Sequence, residues 1–353
     1  TDNMAYTTID DPSAYFQTAL YTGNGSSGHA ITFDGNSNLQ PDWIWNKSRS
    51  IADSHAMFDS TRGVNKILYP NVTLAEGTDT NGNIESFDSN GITVGGNQEY
   101  ANKSGSSQIT WAWKANGGTT SSNTSGDITT TVQANTTAGF SIFTYTGTGT
   151  AGDTIGHGLG AVPHWIWIKA RSIANDQTIY HSANTSAPET EFLILQGNDA
   201  TTDSNTRWND TAPTSTLITL GNNAGVNAST QTYVGYVFAE KQGYSKFGSY
   251  TGNGSADGPF IYTGFKPAWV MTKRTDSSTN GDWAIYDNKR SASGGGNENN
   301  KNLRANSNIV EASNTGIDIL SNGVKIRSTS TRHNANGGTY IYMAFAENPF
   351  VSS

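Results

Sequence analysis

The strongest constraint on the fold of this chain is a segment that occurs three times. "LYTGNGSSGHAITFDGNSNLQPDWIWNKSRS" (20–50) returns as "TYTGTGTAGDTIGHGLGAVPHWIWIKARS" (144–172) and, more loosely, as "SYTGNGSADGPFIYTGFKPAWVMTKRT" (249–275). Each copy has Y-T-G-x-G, then a proline, a tryptophan and a basic residue. Each also closes on an aromatic segment, "ITWAWKA", "YVGYVFAE" or "YIYMAFAE". Such a repeat predicts tandem copies of one folded unit of about 100 residues.

The spacing of the large side chains predicts that these units are built from strands. Trp43 and Trp45 lie two residues apart, as do Trp165 and Trp167, so each pair shares one face of a strand. These positions, with Trp269 in the third copy, are large and apolar in every unit. We therefore expect them in the core rather than at a ligand.

The remaining composition favours short strands joined by turns, because Gly, Ser, Thr and Asn are abundant and helix signals are nearly absent. The sequence predicts an all-β protein of three tandem antiparallel β-sandwich domains, at 1–115, 140–240 and 241–353. Between the first two lies 116–139, a Gly/Ser/Thr/Asn tract with almost no apolar anchor. That composition is typical of a linker.

The first copy contains a glycine pattern that also occurs in dinucleotide-binding loops. Gly23, Gly25 and Gly28 satisfy G-x-G-x-x-G, but the third copy has Asp257 at the last glycine position. The cofactor motif requires a helix directly after the glycines, and an alternating strand pattern follows each copy instead. We expect a hairpin turn and no cofactor.

Charge and residue usage exclude several classes of partner and chemistry. The net charge is −8 and the pI about 5.2, which disfavours nucleic-acid binding. No apolar stretch approaches the ~20 residues of a membrane span, so we expect no membrane insertion. The absence of cysteine excludes disulfides, thiolate zinc sites and a cysteine nucleophile.

Catalytic and metal-binding patterns are weak. Glu85 and Asp88, like Glu189 and Glu191, are paired carboxylates, but neither pair repeats or matches the dense strand pattern of sandwich glycosidases. The six histidines neither align across all three units nor show metal-ligand spacing on a helix. We predict no enzyme activity and no metal site.

A calcium loop is a separate alternative. "DTNGNIE", which begins at Asp79, spaces its oxygen-bearing side chains as a calcium loop does. It lacks the aspartate density of such loops, so an Asn-Gly turn is favoured.

The third unit resembles a repeat domain of structural proteins from marine bacteriophages of the cyanophage type, which are tail-fibre-like. The resemblance lies in "FKPAWVMTKRT", "DWAIYDNKRS", "LSNGVKIRSTS" and "TYIYMAFAENPF". The first unit, with "FDSTRGVNK" and "ITWAWKA", is similar to the N-terminal member of that group. The middle unit departs most, with "YHSANTS" for the usual Y-D-x-x-R segment. The resemblance covers nearly the whole chain outside 116–139 and implies a concanavalin/SPRY-like or jelly-roll-like sandwich, but it supplies no binding residues.

The resemblance also implies a function. We expect a non-enzymatic virion protein, a tail fibre or adhesin that presents β-sandwich modules to a host-surface glycan. It would assemble in the host cytoplasm, contact other virion proteins and form a homo-oligomer, a trimer, because fibres gain avidity from identical modules. The alternatives are a capsid-decoration or fibre-shaft protein with no ligand, and a polysaccharide depolymerase.

One aromatic residue stands outside the repeat. Trp208, in "TRWNDTAP", has no counterpart in the other units and is surrounded by Arg207, Asn209 and Asp210. An exposed indole could stack on the C–H face of a sugar while these neighbours bond its hydroxyls. These four residues are the predicted ligand site. The alternative is a ring packed onto its own sandwich.

Overall fold

The computed structural model describes residues 7–290 and 297–349 and is built almost entirely of antiparallel strands. The predicted all-β class is confirmed. The ends of the first and last predicted domains, 1–6 and 350–353, lie outside the described residues.

The strands and helices follow the three repeats. The first unit contains a 3-10 turn at Pro12–Ala14 and strands β1 (Phe16–Thr22), β2 (His29–Thr32), β3 (Trp43–Ser48), β4 (Ala56–Asp59), β5 (Lys66–Ile67), β6 (Gly77–Thr78), β7 (Ile84–Asp88), β8 (Gly91–Val94) and β9 (Ser107–Trp113). The next segment contains β10 (Ser121–Asn123) and β11 (Thr130–Asn135). The second unit contains β12 (Phe140–Thr146), β13 (Thr154–Gly156), β14 (Trp165–Ala170), β15 (Gln177–His181), a 3-10 turn at Pro188–Thr190, β16 (Glu191–Ile194), β17 (Thr202–Asp203), α1 (Asn205–Trp208), β18 (Leu217–Thr219) and β19 (Thr232–Phe238). The third unit contains β20 (Ser245–Thr251), β21 (Phe260–Tyr262), β22 (Phe265–Arg274), β23 (Ala284–Asp287), β24 (Glu298–Arg304), β25 (Ala312–Leu320), β26 (Gly323–Ile326), α2 (Thr331–Asn334) and β27 (Thr339–Pro349).

The same four-stranded arrangement occurs in every unit. Its order is β1-β9-β3-β4 in the first, β12-β19-β14-β15 in the second and β20-β27-β22-β23 in the third. The tryptophan-bearing strand and the closing aromatic strand are therefore neighbours in each sheet. A smaller group of strands packs against it: β2-β8-β7 in the first unit, β13-β18 in the second and β21-β26-β25 in the third, where β24 joins the two groups into one sheet.

One face of each four-stranded sheet packs into an aromatic core that the three units share. Trp43 stacks on Trp113 of its own unit at 4.3 Å between ring centroids and on Tyr236 of the second unit at 4.8 Å. Phe345 of the third unit lies 5.6 Å from Trp113 and 5.2 Å from Phe238. Because each unit touches both others, the chain closes into a three-membered ring. The predicted core position of the repeated tryptophans is confirmed.

The opposite face of each sheet packs within its own unit. In the first unit, Ile44 and Phe58 pack with Ile92 of the smaller sheet. In the second, Ile166 packs with Ile218 in the same way. Both faces of β3 and β14 are consequently buried, which is why each strand begins with the apolar run Trp-Ile-Trp instead of alternating apolar and polar residues.

The Y-T-G-x-G segment forms a turn that a buried asparagine holds in each unit. Asn102, Asn227 and Asn334 are fully buried. Each accepts from a backbone N–H of the turn and donates to a carbonyl two residues further on. The first glycine is required because a Cβ at Gly23 would lie 2.3 Å from the Lys103 carbonyl oxygen. A strand, not a helix, follows, so the segment is a turn, but the predicted hairpin is wrong: β1 pairs with β9 and β2 with β8, and the equivalent strands of the other units also pair elsewhere.

A buried ionic cluster closes the junction between the first and second units. Asp59 accepts from the Tyr236 hydroxyl at 2.6 Å and from Arg62 at 2.5 Å. Arg62 also contacts Glu76 at 3.0 Å, and Arg171 of the second unit bonds both oxygens of Glu76. Burial alone would raise the pKa of Glu76, but its bonds with Arg171 and the charge of Arg62 bring it below its usual value.

The junction between the third and first units repeats this cluster. Asp287 accepts from the Trp111 indole N–H at 3.0 Å and from Arg290 at 2.6 Å. Glu311 lies between Arg290 and Arg49, at 3.4 and 2.8 Å. The two clusters occupy equivalent positions in the repeat, so two of the three junctions contain this buried cluster.

Between the second and third units, uncharged residues occupy the positions of these two clusters. His181 replaces the aspartate and donates from Nε2 to the Tyr342 carbonyl at 3.0 Å. Asn184 replaces the arginine and accepts from the Thr201 hydroxyl at 2.8 Å. The Thr201 N–H donates to the Thr275 carbonyl. The same backbone bond occurs at the other two junctions, where the Glu76 N–H donates to the Arg171 carbonyl and the Glu311 N–H to the Arg49 carbonyl. The departure of "YHSANTS" from the repeat is therefore a coordinated change at one junction.

Three buried lysines also link the units. Lys47, Lys169 and Lys273 follow the repeated tryptophan segment, and each donates to a backbone carbonyl of a neighbouring unit: Asn308, Thr73 and Asp199, respectively. Burial lowers the pKa of each to about 8. The lysine of the first unit thus bonds the third unit, that of the second bonds the first, and that of the third bonds the second. These three contacts follow the same ring.

Residues 116–139, predicted to be a linker, instead contain β10 and β11. Strand β11 pairs along β12 and extends the sheet of the second unit. Ile128 and Val132 are buried, and Gln133 donates to Ser60 and Thr61 of the first unit. Two apolar anchors among β-forming threonines suffice here, because the neighbouring sheet edge supplies the hydrogen bonds.

Candidate functional site

Among the described residues, the aromatic side chains that remain well exposed both belong to β21. Phe260 is 45% and Tyr262 57% exposed. Ile261 between them is buried and packs into the third unit. Strand alternation therefore places the two rings side by side on the outer face. We call Phe260 and Tyr262 the aromatic pair.

A glycine in the neighbouring strand makes room for this pair. In the register of β21 with β26, Phe260 lies opposite Lys325 and Tyr262 opposite Gly323. A Cβ at Gly323 would lie 2.8 Å from Cζ of Phe260. The Phe260 ring therefore lies over the glycine, at a place that a larger residue would occupy.

Charged side chains flank the rings. Lys325 shares the outer face with Phe260 and forms an ion pair with Asp257 at 2.7 Å. Asp318 is opposite Lys325 in β25 and contacts Arg327 at 3.3 Å. The surface thus combines apolar ring faces with hydrogen-bond donors and acceptors.

The other two units lack this surface. Their strands equivalent to β21 carry Ala30 and Thr32 in the first unit and Thr154 and Gly156 in the second. The buried isoleucine between them is present in all three units. The aromatic pair is therefore an addition to the shared fold, which the other copies maintain without it.

The predicted ligand residues lie elsewhere in the second unit. Trp208 ends α1 and is 1% exposed, with its ring edge-on to Tyr180 at 6.0 Å. Its ring is packed, which is the alternative weighed from the sequence, so it offers no face to a sugar. The prediction that Trp208 is exposed and stacks on a sugar is wrong. The segment has no strand periodicity from which its inward direction could be predicted, and α1 turns the ring toward the core.

The neighbours of Trp208 divide into buried and exposed groups. Arg207 is also buried; its guanidinium lies 4.5 Å above the Phe192 ring and contacts Asp176 at 3.2 Å. Asn209 and Asp210 remain at the surface in the left-handed backbone region, with φ of 52° and 48°. Ligand binding by Asn209 and Asp210 stays a prediction.

Three of the acidic residues considered from the sequence, Glu85, Asp88 and Asp79, accept hydrogen bonds within the first unit. Glu85 accepts from Ser27 and the Gly28 N–H, and Asp88 accepts from Ser86 and Thr93. Asp79 accepts from the N–H groups of Asn81 and Asn83, as in an Asx turn. Within 7–290 and 297–349, no group of three or more metal-ligating side chains is present.

Four of the six histidines, His55, His157, His181 and His333, are buried. His55 accepts from the Trp45 indole, and His333 contacts the Tyr286 hydroxyl at 2.9 Å. Burial lowers the pKa of His333 to about 3 and that of His181 to about 4. No helix in the described part of the chain is long and apolar enough to cross a membrane.

Comparison with known proteins identifies the family. Residues 11–349 match a family described as a domain of unknown function, DUF7483, and the chain belongs to it. The match spans all three units, so the family domain is the whole ring rather than one repeat. No curated protein matches the chain, and no solved structure does.

Proposed function

We propose that this protein is a non-enzymatic phage virion protein, a tail fibre or adhesin, that contacts a host-surface glycan through the aromatic pair. The phage assignment rests on the sequence resemblance of the first and third units. The contact surface rests on one observation: Phe260 and Tyr262 are the well-exposed aromatic rings of the described chain, and they lie together on one strand.

The chemistry of the pair suits a sugar. Tyrosine and phenylalanine rings give a large contact area with little loss of side-chain entropy. A pyranose ring presents C–H groups on one face and hydroxyls at its edge. The rings of Phe260 and Tyr262 would cover the C–H face, while Lys325 and Asp318 lie where hydroxyls need partners.

We also propose that each unit is a concanavalin-like sandwich. The support is the pairing in each repeat of a four-stranded sheet with a smaller opposing one. The proposal includes assembly in the host cytoplasm, location in the virion and a homotrimer. A monomeric mass by light scattering at micromolar concentration would count against the trimer.

A glycan array tests the proposed contact. The double variant Phe260→Ala/Tyr262→Thr gives β21 the residues that the first unit carries at the same positions, so we expect it to fold. The matched control, Leu74→Ala/Val162→Thr, removes exposed apolar side chains elsewhere; these are 56% and 49% exposed.

The expected result is that the wild-type protein and the control bind the same glycans and the double variant loses them. Binding that survives in the double variant would refute the aromatic pair as the contact. No bound glycan at all would favour the decoration or shaft function. Release of sugar from host polysaccharide would favour a depolymerase.

A further inference from the structure

We infer that a cleft between the first and third units binds one ring of a neutral saccharide. The cleft has a volume of about 160 Å³. The ligand class rests on the proposed function, whereas the site itself is separate from the aromatic pair. Its lining includes Thr18, Asp34 and Asn36 of the first unit and Asn288 and Lys289 of the third. The volume exceeds the ~30 Å³ share of one water and is below the ~300 Å³ at which clefts for drug-sized ligands begin.

The chain fills the equivalent places at the other two junctions. Between the first and second units, Gln133 of β11 bonds Ser60 and Thr61, which correspond to Asn288 and Lys289. Strand β11 covers the outer edge of β12, whereas β1 is the last strand of its sheet.

Between the second and third units, the side chains of β20 close the gap. The Phe247 ring stacks on His164 at 6.1 Å, and Lys246 pairs with Glu240 at 2.6 Å. Among the described residues, the junction of the first and third units is therefore the one left open.

One residue of the cleft lining carries an enclosed hydroxyl without a partner. Thr18 is 4% exposed, and its Oγ1 makes no hydrogen bond within the protein. The equivalent residues of the other units, Ile142 and Phe247, are apolar core residues. A buried hydroxyl without a partner costs stability. Because Oγ1 of Thr18 is enclosed, a ligand hydroxyl would satisfy it only by displacing the atoms that cover it.

The charges in the cleft favour a neutral ligand. Lys289 of the third unit donates to both oxygens of Asp34 of the first, each at 2.9 Å. This pair leaves no net charge. The side-chain amides of Asn36 and Asn288 add donors and acceptors at the rim. Mixed donors and acceptors without net charge suit vicinal hydroxyls better than a carboxylate or an amine.

Saturation-transfer NMR with small probes tests this inference. The probes are the methyl glycosides of glucose, mannose, galactose and fucose, with glucuronate and glucosamine as charged comparators. The full chain carries Phe260→Ala/Tyr262→Thr throughout, so that the aromatic pair gives no signal. Thr18→Val and Asn288→Ala are the cleft variants. Thr110→Val is the matched control, because its Oγ1 is also buried and unpartnered but lies outside the cleft.

We expect saturation transfer to at least one neutral glycoside and a rise in Kd of about tenfold in each cleft variant, the value of one hydrogen bond. Thr110→Val should leave Kd unchanged, and Thr18→Val should melt at the same temperature as its parent or higher. Absence of transfer to every probe, equal Kd in the cleft variants, or stronger binding of a charged comparator would overturn the inference. The array result for the aromatic pair is read independently, so the two proposals can fail separately.

Discussion

Replacing Arg62 by methionine should destabilise the protein strongly, because it breaks the buried cluster at the junction of the first two units. Arg62 and Asp59 have no exposed side-chain surface. Without the guanidinium, the Asp59 carboxylate keeps only the Tyr236 hydroxyl and the N–H of residue 62. Removing one partner of such a buried pair costs about 3–5 kcal/mol. Glu76 keeps Arg171, so the loss centres on Asp59.

A double-mutant cycle distinguishes this charge effect from lost packing. We expect Asp59→Asn/Arg62→Met to cost less than the sum of the single variants by at least about 1 kcal/mol, because the double variant leaves no unpaired charge. The junction with His181 and Asn184 shows that the fold accommodates uncharged side chains there. The assay is guanidinium denaturation at pH 7 followed by tryptophan fluorescence. A cost of Arg62→Met below about 1 kcal/mol, or strict additivity, would refute the reasoning.

Three further predictions follow from the packing and the pKa shifts. Trp208→Ala should cost about 3–5 kcal/mol by removing a buried ring while leaving glycan-array binding unchanged; a small loss of stability with lost binding would restore the ligand role. Burial lowers the pKa of His181 from its ordinary 6.5 to about 4 in the folded state. The folded state therefore favours the neutral imidazole, and this contribution to the free energy of unfolding is fully present above pH 6.5. That contribution, about 3 kcal/mol, is lost as the pH falls from 6.5 to 4. Denaturation of His181→Gln should therefore depend less on pH than that of the wild type between pH 6.5 and 4.5, and equal slopes would contradict this. Residues 140–240 expressed alone should lack a cooperative thermal transition, since Trp165, Trp167 and Phe238 would lose the shared core; a sharp transition with fixed near-UV circular dichroism would show instead that the unit is autonomous.

Much of the fold is predictable from the sequence because the repeat exposes its core positions. The Trp43 and Trp45 pair, recurring in the second unit, predicts a buried strand, and the tripled Y-T-G-x-G segment predicts a turn. Repetition cannot reveal how the copies meet, because every copy carries the same pattern whether it stands alone or in a ring. The unbroken run "WIWIK" is the local sign that both faces are buried, and it points to a second packing partner.

The candidate site was harder to predict because a residue found in only one unit can be either buried or exposed. Trp208 is unique since α1 stands where the other units have β7 or β25, and it turns the ring into the core. Phe260 and Tyr262 are unique since they occupy outward positions that the shared fold leaves unconstrained. Aligning Phe260 and Tyr262 with Ala30 and Thr32 of the first unit distinguishes an outward residue from a buried one. Both pairs flank an isoleucine that is repeated in every unit, and a residue next to a buried strand position faces outward.

The most direct test of the proposed contact is fluorine NMR of the full chain labelled with 3-fluorotyrosine. The protein has 15 tyrosines, and loss of one signal in Tyr262→Phe assigns that of Tyr262. On titration with a glycan selected on the array, the Tyr262 signal should shift with ligand concentration, while those of buried tyrosines such as Tyr233 and Tyr236 stay in place. A titration in which Tyr262 is unaffected while the glycan binds would contradict the account.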